Sequence, residues 1–236
     1  MSGVDTLRIG GLLPMTTVEW DGHLAAVLFL QGCPWRCRYC HNTGLISTRT
    51  NALKAWAEVW SFLLERQGLL DAIVFSGGEP TAQAALPDAL TAVKELGYLV
   101  ALHTNGHSTA AVGRALATGA VDYVAMDLKA PFARYDEVTR IAGSGRKAQR
   151  SATAIIKSGV THEFRTTYHS DLLTPDDLRA IAEDLQWRGA QAYYLQRYRD
   201  EGSPDMPLAL SMSEPPPERL LRELEKMLPK FGTRGW

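Results

Sequence analysis

The chain has 236 residues, 45% apolar and 22% charged, which is enough for one domain with a real core and too apolar for a disordered chain. Its 25 Lys and Arg nearly cancel 26 Asp and Glu, which argues against nucleic-acid backbones and anionic membrane surfaces as partners. No apolar run approaches the ~20 residues that span a bilayer, and residues 1–10 carry no charged leader before an apolar block, so a cytoplasmic protein is expected.

In chain order, short apolar runs alternate with helix-like stretches. Strands are expected at residues 24–30, 72–75, 98–102, 123–126, 162–167 and 192–196, and helices at 52–67, 84–96, 109–118, 146–158, 175–187 and 216–227. The strands are apolar on both faces, as in a buried parallel sheet. Gly68, Gly97, Gly119, Gly159 and Gly189 stand where helices should stop. Segments 201–207 and 229–236 read as loops. The result is an α/β chain of repeated βα units, read as a single domain over 1–236 with its core at about 20–200 and a C-terminal helix and tail in 201–236. Six units fall short of the eight of a complete barrel of ~250 residues, so an incomplete open barrel or a doubly wound sheet would fit. Either fold gathers ligands at the carboxyl ends of its strands. Polar motifs stand at those ends: the cysteine loop after Leu30, SGGEP after Phe75, HTNG after Leu102, DLK after Met126, RTT at Arg165 and QRYR at Gln196.

The three cysteines, Cys33, Cys37 and Cys40, lie together in GCPWRCRYCHN. A clustered odd number is not a disulfide framework; it suits thiolate ligation of metal in a reducing compartment. The C-x3-C-x2-C spacing after a strand lets the thiolates reach different corners of one inorganic cluster, leaving one iron of a four-iron cubane open to a small molecule. The alternative is a zinc site completed by His41, although zinc usually draws ligands from two separated pairs and Cys40 and His41 are adjacent. Gly32 and Pro34 weigh against these cysteines forming one helical face. Alone, SGGEP would be an ordinary βα turn, and Asp127 with Lys129 a strand-end ion pair. Trp56, Trp60 and Phe62 read as core on the first helix.

With Tyr39 before the last cysteine, the motif becomes C-x3-C-x-aromatic-C, and the chain resembles the radical S-adenosylmethionine (SAM) superfamily. LAAVLFLQGCPWRCRYCHN, SGGEP, TNG and DLK look like the glycyl-radical-enzyme activases, above all the anaerobic ribonucleoside-triphosphate reductase activating proteins, from about Ile9 to the sixth strand. The resemblance implies an incomplete (β/α)6 barrel of the radical SAM type. It implies a 4Fe–4S cluster on Cys33, Cys37 and Cys40, with S-adenosyl-L-methionine chelating the open iron. Tyr39, Cys40 and His41 match the segment against the adenine. Gly77, Gly78, Glu79 and Pro80 match the motif that holds the methionine amino group, which suits close backbone approach, exposed carbonyls and a carboxylate. Thr104 and Asn105 belong to the TNG motif. Asp127 and Lys129 match residues near the ribose and carboxylate, and Arg165 and Gln196 match later strand-end positions around the cofactor.

The implied reaction is reductive cleavage of SAM to methionine and a 5′-deoxyadenosyl radical, which takes a hydrogen atom from a backbone glycine of a partner enzyme, here anaerobic ribonucleotide reductase. Some members of the resembled family carry an inserted ferredoxin-like domain with further cysteines; with three cysteines here, the resemblance implies one cluster and an external electron donor such as flavodoxin or ferredoxin. A radical SAM enzyme acting on a small molecule, similar to the 7-carboxy-7-deazaguanine synthases, is the alternative within the class. A zinc-binding interaction module is the alternative outside it. The chain departs from the activase pattern at two positions. Gln196 falls where related activases often carry histidine. His103 stands where many have aspartate beside a monovalent-cation site; Thr104, Met126 and Asp127 are present, but His103 is not a hard oxygen ligand.

Overall fold

The computed structural model describes residues 3–199 and 204–236. The chain divides into two compact units, one of Met1–Pro34 and Gly44–Val124, the other of Trp35–Thr43 and Ala125–Trp236.

In the first unit, β1 (Ile9–Thr16) runs antiparallel to β2 (Ala25–Leu30), with register irregularities between Ile9 and Gly11 and between Leu13 and Thr16. Parallel pairing then carries β2 to β3 (Ala72–Gly77) and β3 to β4 (Leu99–Thr104), with Ala25 opposite Ala72 and Ala72 opposite Leu99. Ala25, Ala26, Val27 and Leu28 of β2 and Ala72–Phe75 of β3 are buried throughout, as apolar runs without alternation require. The connections are α1 (Trp56–Glu65), α2 (Leu86–Glu95) and α3 (Thr109–Ala117). The buried side chains of α1 are Val59 and Leu63; Trp56, Trp60 and Phe62 are half-buried at its flank rather than in the core. Gly68, Gly97 and Gly119 take positive φ where these helices give way, a backbone region costly to other residues. The boundary between the units falls within β5 (Tyr123–Asp127).

The second unit continues with α4 (Tyr135–Thr139), α5 (Ser144–Ser158), β6 (Thr161–Tyr168), α6 (Pro175–Arg188), β7 (Ala192–Arg197), α7 (Met206–Leu210), α8 (Glu218–Met227) and β8 (Lys230–Arg234). β6 pairs in parallel with β7, and β7 with β8. α6 shows its origin in sequence. Thr174 and Asp177 form a reciprocal capping box, Pro175 opens the first turn, and Gly189 closes the helix at φ +79°.

In each unit the parallel strands follow chain order, without the reversal that defines a doubly wound sheet. Within each unit the winding is that of consecutive strands of a β/α barrel. All six expected strands form, and most run on into the polar motifs: β3 reaches Gly77, β4 reaches Thr104 and β5 reaches Asp127. Two expectations are corrected. Residues 229–236 hold β8 instead of a loop, because Phe231 and Gly232 pair with Tyr193 and Tyr194. The segment read as a loop over 201–207 reaches into α7, capped by the Asp205 carboxylate accepting from Leu208 N at 3.4 Å; residues 201–203 lie outside the described part.

Candidate functional site

In the first unit, the cysteine loop starts from a braced strand end. Buried Gln31 donates from Nε2 to the carbonyls of Gly44 and Ser47, both at 3.0 Å, and Gln83 Nε2 donates to Gln31 O at 3.1 Å. Gly32 N and Cys33 N donate to Leu45 O and Ile46 O. The glycines of SGGEP are demanded by close approach. A Cβ on Gly77 would sit 2.3 Å from Leu30 N, and one on Gly78 would sit 2.5 Å from Gly32 O. Gly78 N and Glu79 N donate to Leu30 O and Gly32 O, so both motif amides are committed to the start of the cysteine loop.

Glu79 is 0% exposed, and its carboxylate is occupied inside the unit. Oε1 accepts from Thr81 N at 3.0 Å, Thr81 Oγ1 at 2.5 Å and Thr104 Oγ1 at 2.7 Å, while Oε2 accepts from Asn105 N at 2.7 Å. One side chain thereby ties SGGEP to TNG. Pro80 opens the short turn that presents Thr81. Asn105 in turn donates from Nδ2 to Cys33 Sγ at 3.5 Å. His103 is buried, with Nδ1 3.6 Å from a Glu19 carboxylate oxygen.

In the second unit, the rest of the cysteine loop packs on α4. Trp35 is 1% exposed and meets the Tyr135 ring edge-on at 5.6 Å. Arg36 N and Arg38 N donate to Thr139 O and Val138 O, and Arg38 Nε pairs with Asp205 at 2.6 Å. These contacts hold a turn in which Cys40 N donates to Cys37 O at 3.2 Å. Cys37 and Tyr39 are buried, Cys40 is half-buried and His41 is exposed. Lys129 reaches the same place from the end of β5. Its Nζ lies 3.1 Å from Asp127 and 5.4 Å from the centroid of the Tyr39 ring. Burial opposes the Lys129 ammonium, but Asp127, Tyr39 and Cys37 outweigh it and push its pKa well up, so the site holds a fixed cation. Arg165 is buried on β6, its Nε 3.5 Å from Asp127 and 3.7 Å from Glu163. Gln196 is half-buried on β7, opposite Thr167 of β6.

Burial pushes the Cys37 thiol up to about 11, only partly offset by Lys129, and burial also raises Cys40. A raised thiol pKa means a small thiolate fraction at pH 8. In cluster-free protein, Cys37 should therefore alkylate with iodoacetamide about a hundredfold more slowly than an unperturbed cysteine. Site-resolved mass spectrometry measures this; a peptide-like rate at Cys37 would contradict the burial.

The donor set suits an iron–sulfur cluster with an anionic and aromatic ligand. Three soft thiols lie within eight residues, a buried ammonium stands beside two of them, and the buried Tyr39 hydroxyl and Arg165 Nε have no hydrogen-bond partner among the described residues. Among the described residues, no group of three His, Cys, Asp or Glu side chains is gathered around a single point. Three polar side chains escape a reading by motif: Gln31, Asp205 and Glu163. Glu163 had a signal, its position two residues before Arg165 on one strand, which puts both on the same face.

Within each unit, polar motifs stand at the carboxyl ends of parallel strands wound in chain order, the placement found in cofactor-dependent β/α-barrel enzymes. Residues 27–187 match the radical SAM superfamily, and the chain belongs to it. Its cofactors are a 4Fe–4S cluster and SAM. A Methanocaldococcus jannaschii protein provisionally named a glycyl-radical enzyme activating enzyme is 29% identical over 94% of this chain and 92% of its own length. The pyruvate formate-lyase-activating enzyme of Clostridium pasteurianum is 33% identical over 42% of this chain and 44% of that protein. Among solved structures, SuiB of Streptococcus suis with S-adenosylmethionine bound is similar over 87% of this chain, with a TM-score of 0.66 and 14% identity. The chain spans 48% of SuiB, and at that identity the likeness concerns the fold. No helix among the described residues is long and apolar enough to cross a membrane.

Proposed function

We propose that this enzyme generates a glycyl radical on a partner enzyme, and that the partner is anaerobic ribonucleoside-triphosphate reductase. The observation that carries the activase reading is the likeness to the M. jannaschii protein along nearly the whole of both chains. The choice of reductase rests on the motif-level resemblance around LAAVLFLQGCPWRCRYCHN. When bound, the cluster supplies one electron to SAM, and the cleaved cofactor removes a hydrogen atom from the partner's glycine.

The chain's own residues bind and orient. Cys33, Cys37 and Cys40 hold the cluster. The committed N–H groups of Gly78 and Glu79 leave carbonyls as what that turn offers the methionine ammonium, and the Glu79 carboxylate fixes the turn. Tyr39, Cys40 and His41 line the adenine side, with Thr104 and Asn105 carried on the Glu79 staple. Asp127 and Lys129 serve the ribose and carboxylate, and Arg165 and Gln196 stand around the remainder. Electrons come from an external donor, flavodoxin or ferredoxin. Burial of Cys37 and Tyr39 keeps water from this chemistry.

Reduced holoenzyme mixed anaerobically with SAM and the reductase from the same source should give a doublet glycyl-radical resonance, stoichiometric with 5′-deoxyadenosine. Replacing the reductase's C-terminal loop glycine by alanine should remove it. SAM cleavage without that radical would overturn the choice of partner.

A further inference from the structure

Glu163 is a buried carboxylate, 4% exposed, on the same face of β6 as Arg165. A buried carboxylate with no other counter-charge would draw the nearest guanidinium into a hydrogen-bonded pair. Arg165 is that neighbour, yet its Nε stays 3.7 Å from Glu163 and makes no hydrogen bond to it. The place is taken by Arg234 of β8. Its Nη1 and Nη2 donate to the two Glu163 oxygens at 2.6 and 3.0 Å, the fork geometry in which arginine binds carboxylate most firmly.

β8 is built to deliver this cation. The Arg234 guanidinium lies 3.9 Å over the centroid of the Tyr194 ring. Gly232 stands opposite Tyr194 in the ladder, where a Cβ would come within 2.9 Å of that ring. A side chain at 232 would push the ring out from beneath Arg234.

We infer that Arg234 is a positioning residue for SAM binding: by neutralising Glu163 it keeps Arg165 beside Asp127 and available to the cofactor. Without Arg234, Glu163 recruits Arg165 and the site loses a cation. The inference rests on the reading that Arg165 serves SAM, and the experiment separates the two.

The affinity of anaerobic holoenzyme for SAM is measured by equilibrium dialysis, with the change in the reduced cluster's paramagnetic resonance on SAM addition as a second readout. Circular dichroism confirms folding. Arg165→Ala and Arg234→Ala should each weaken SAM binding about tenfold, a loss the size of one charged hydrogen bond. Glu163→Gln added to Arg234→Ala should restore affinity to within about twofold, because the competing charge is gone. Arg234→Lys should fall between Arg234→Ala and the parent, keeping the charge without the fork. If Arg234→Ala binds SAM as the parent does, or if Glu163→Gln fails to rescue it, the positioning role is overturned. If Arg165→Ala alone leaves affinity unchanged, the reading of Arg165 fails, and with it the premise of this inference.

Discussion

Glu79→Ala should cost about 4 kcal/mol of unfolding free energy, far more than the loss of a ligand contact would suggest. The carboxylate is fully buried and accepts from Thr81 N, Thr81 Oγ1, Thr104 Oγ1 and Asn105 N. Alanine leaves four buried donors to find new partners, and each unsatisfied donor costs about 1–3 kcal/mol before relaxation. The effect should propagate: with Asn105 N released, the amide that donates to Cys33 Sγ loses its anchor. Glu79→Gln is the informative control. Its amide oxygen can still accept, but its NH2 opposes one former donor, so about half the loss is expected. Urea unfolding of the two variants against the parent measures this. A loss below about 1 kcal/mol in Glu79→Ala would show that the four bonds do not act as a staple.

Cys33→Ala, Cys37→Ala and Cys40→Ala should each reduce iron from about four per chain to near zero after anaerobic reconstitution, and should abolish SAM cleavage. On the proposed ligand set each thiolate holds a separate iron, so two ligands would leave a second corner exposed to water and chelators. The fold should survive. Cys33 and Cys37 are small buried side chains, and their backbone is fixed independently, by Cys33 N on Ile46 O and by the Arg36 and Arg38 amides on α4. Iron and sulfide analysis with circular dichroism separates cluster loss from unfolding. Any single variant retaining full iron and sulfide would remove that cysteine from the ligand set.

The parallel strands were legible because burial on both faces writes an unbroken apolar run, as in AAVLFL of β2. β1 was not, since Gly10, Gly11 and Pro14 interrupt any strand pattern, and antiparallel pairing with irregular register tolerates them. β8 was not, since KFGTR is short and charged; its glycine is explained only by a tyrosine on the neighbouring strand. The site divides in the same way. Cysteine spacing and the motifs at strand ends are local and could be read. The occupation of Glu79 by TNG crosses 25 residues and the clamp of Arg234 on Glu163 crosses 71, so only tertiary structure discloses what those charges do.

The irregular pairing of β1 bears on handling the protein at the concentrations that cluster reconstitution requires. β1 is an outer strand, and Leu13 and Met15 are exposed on it. A regular ladder there would offer a second molecule a ready template for sheet extension. Pro14 withholds an N–H between those two side chains, and the register breaks between Leu13 and Thr16. The outer strand is thereby guarded against self-association while its apolar side chains remain on the surface.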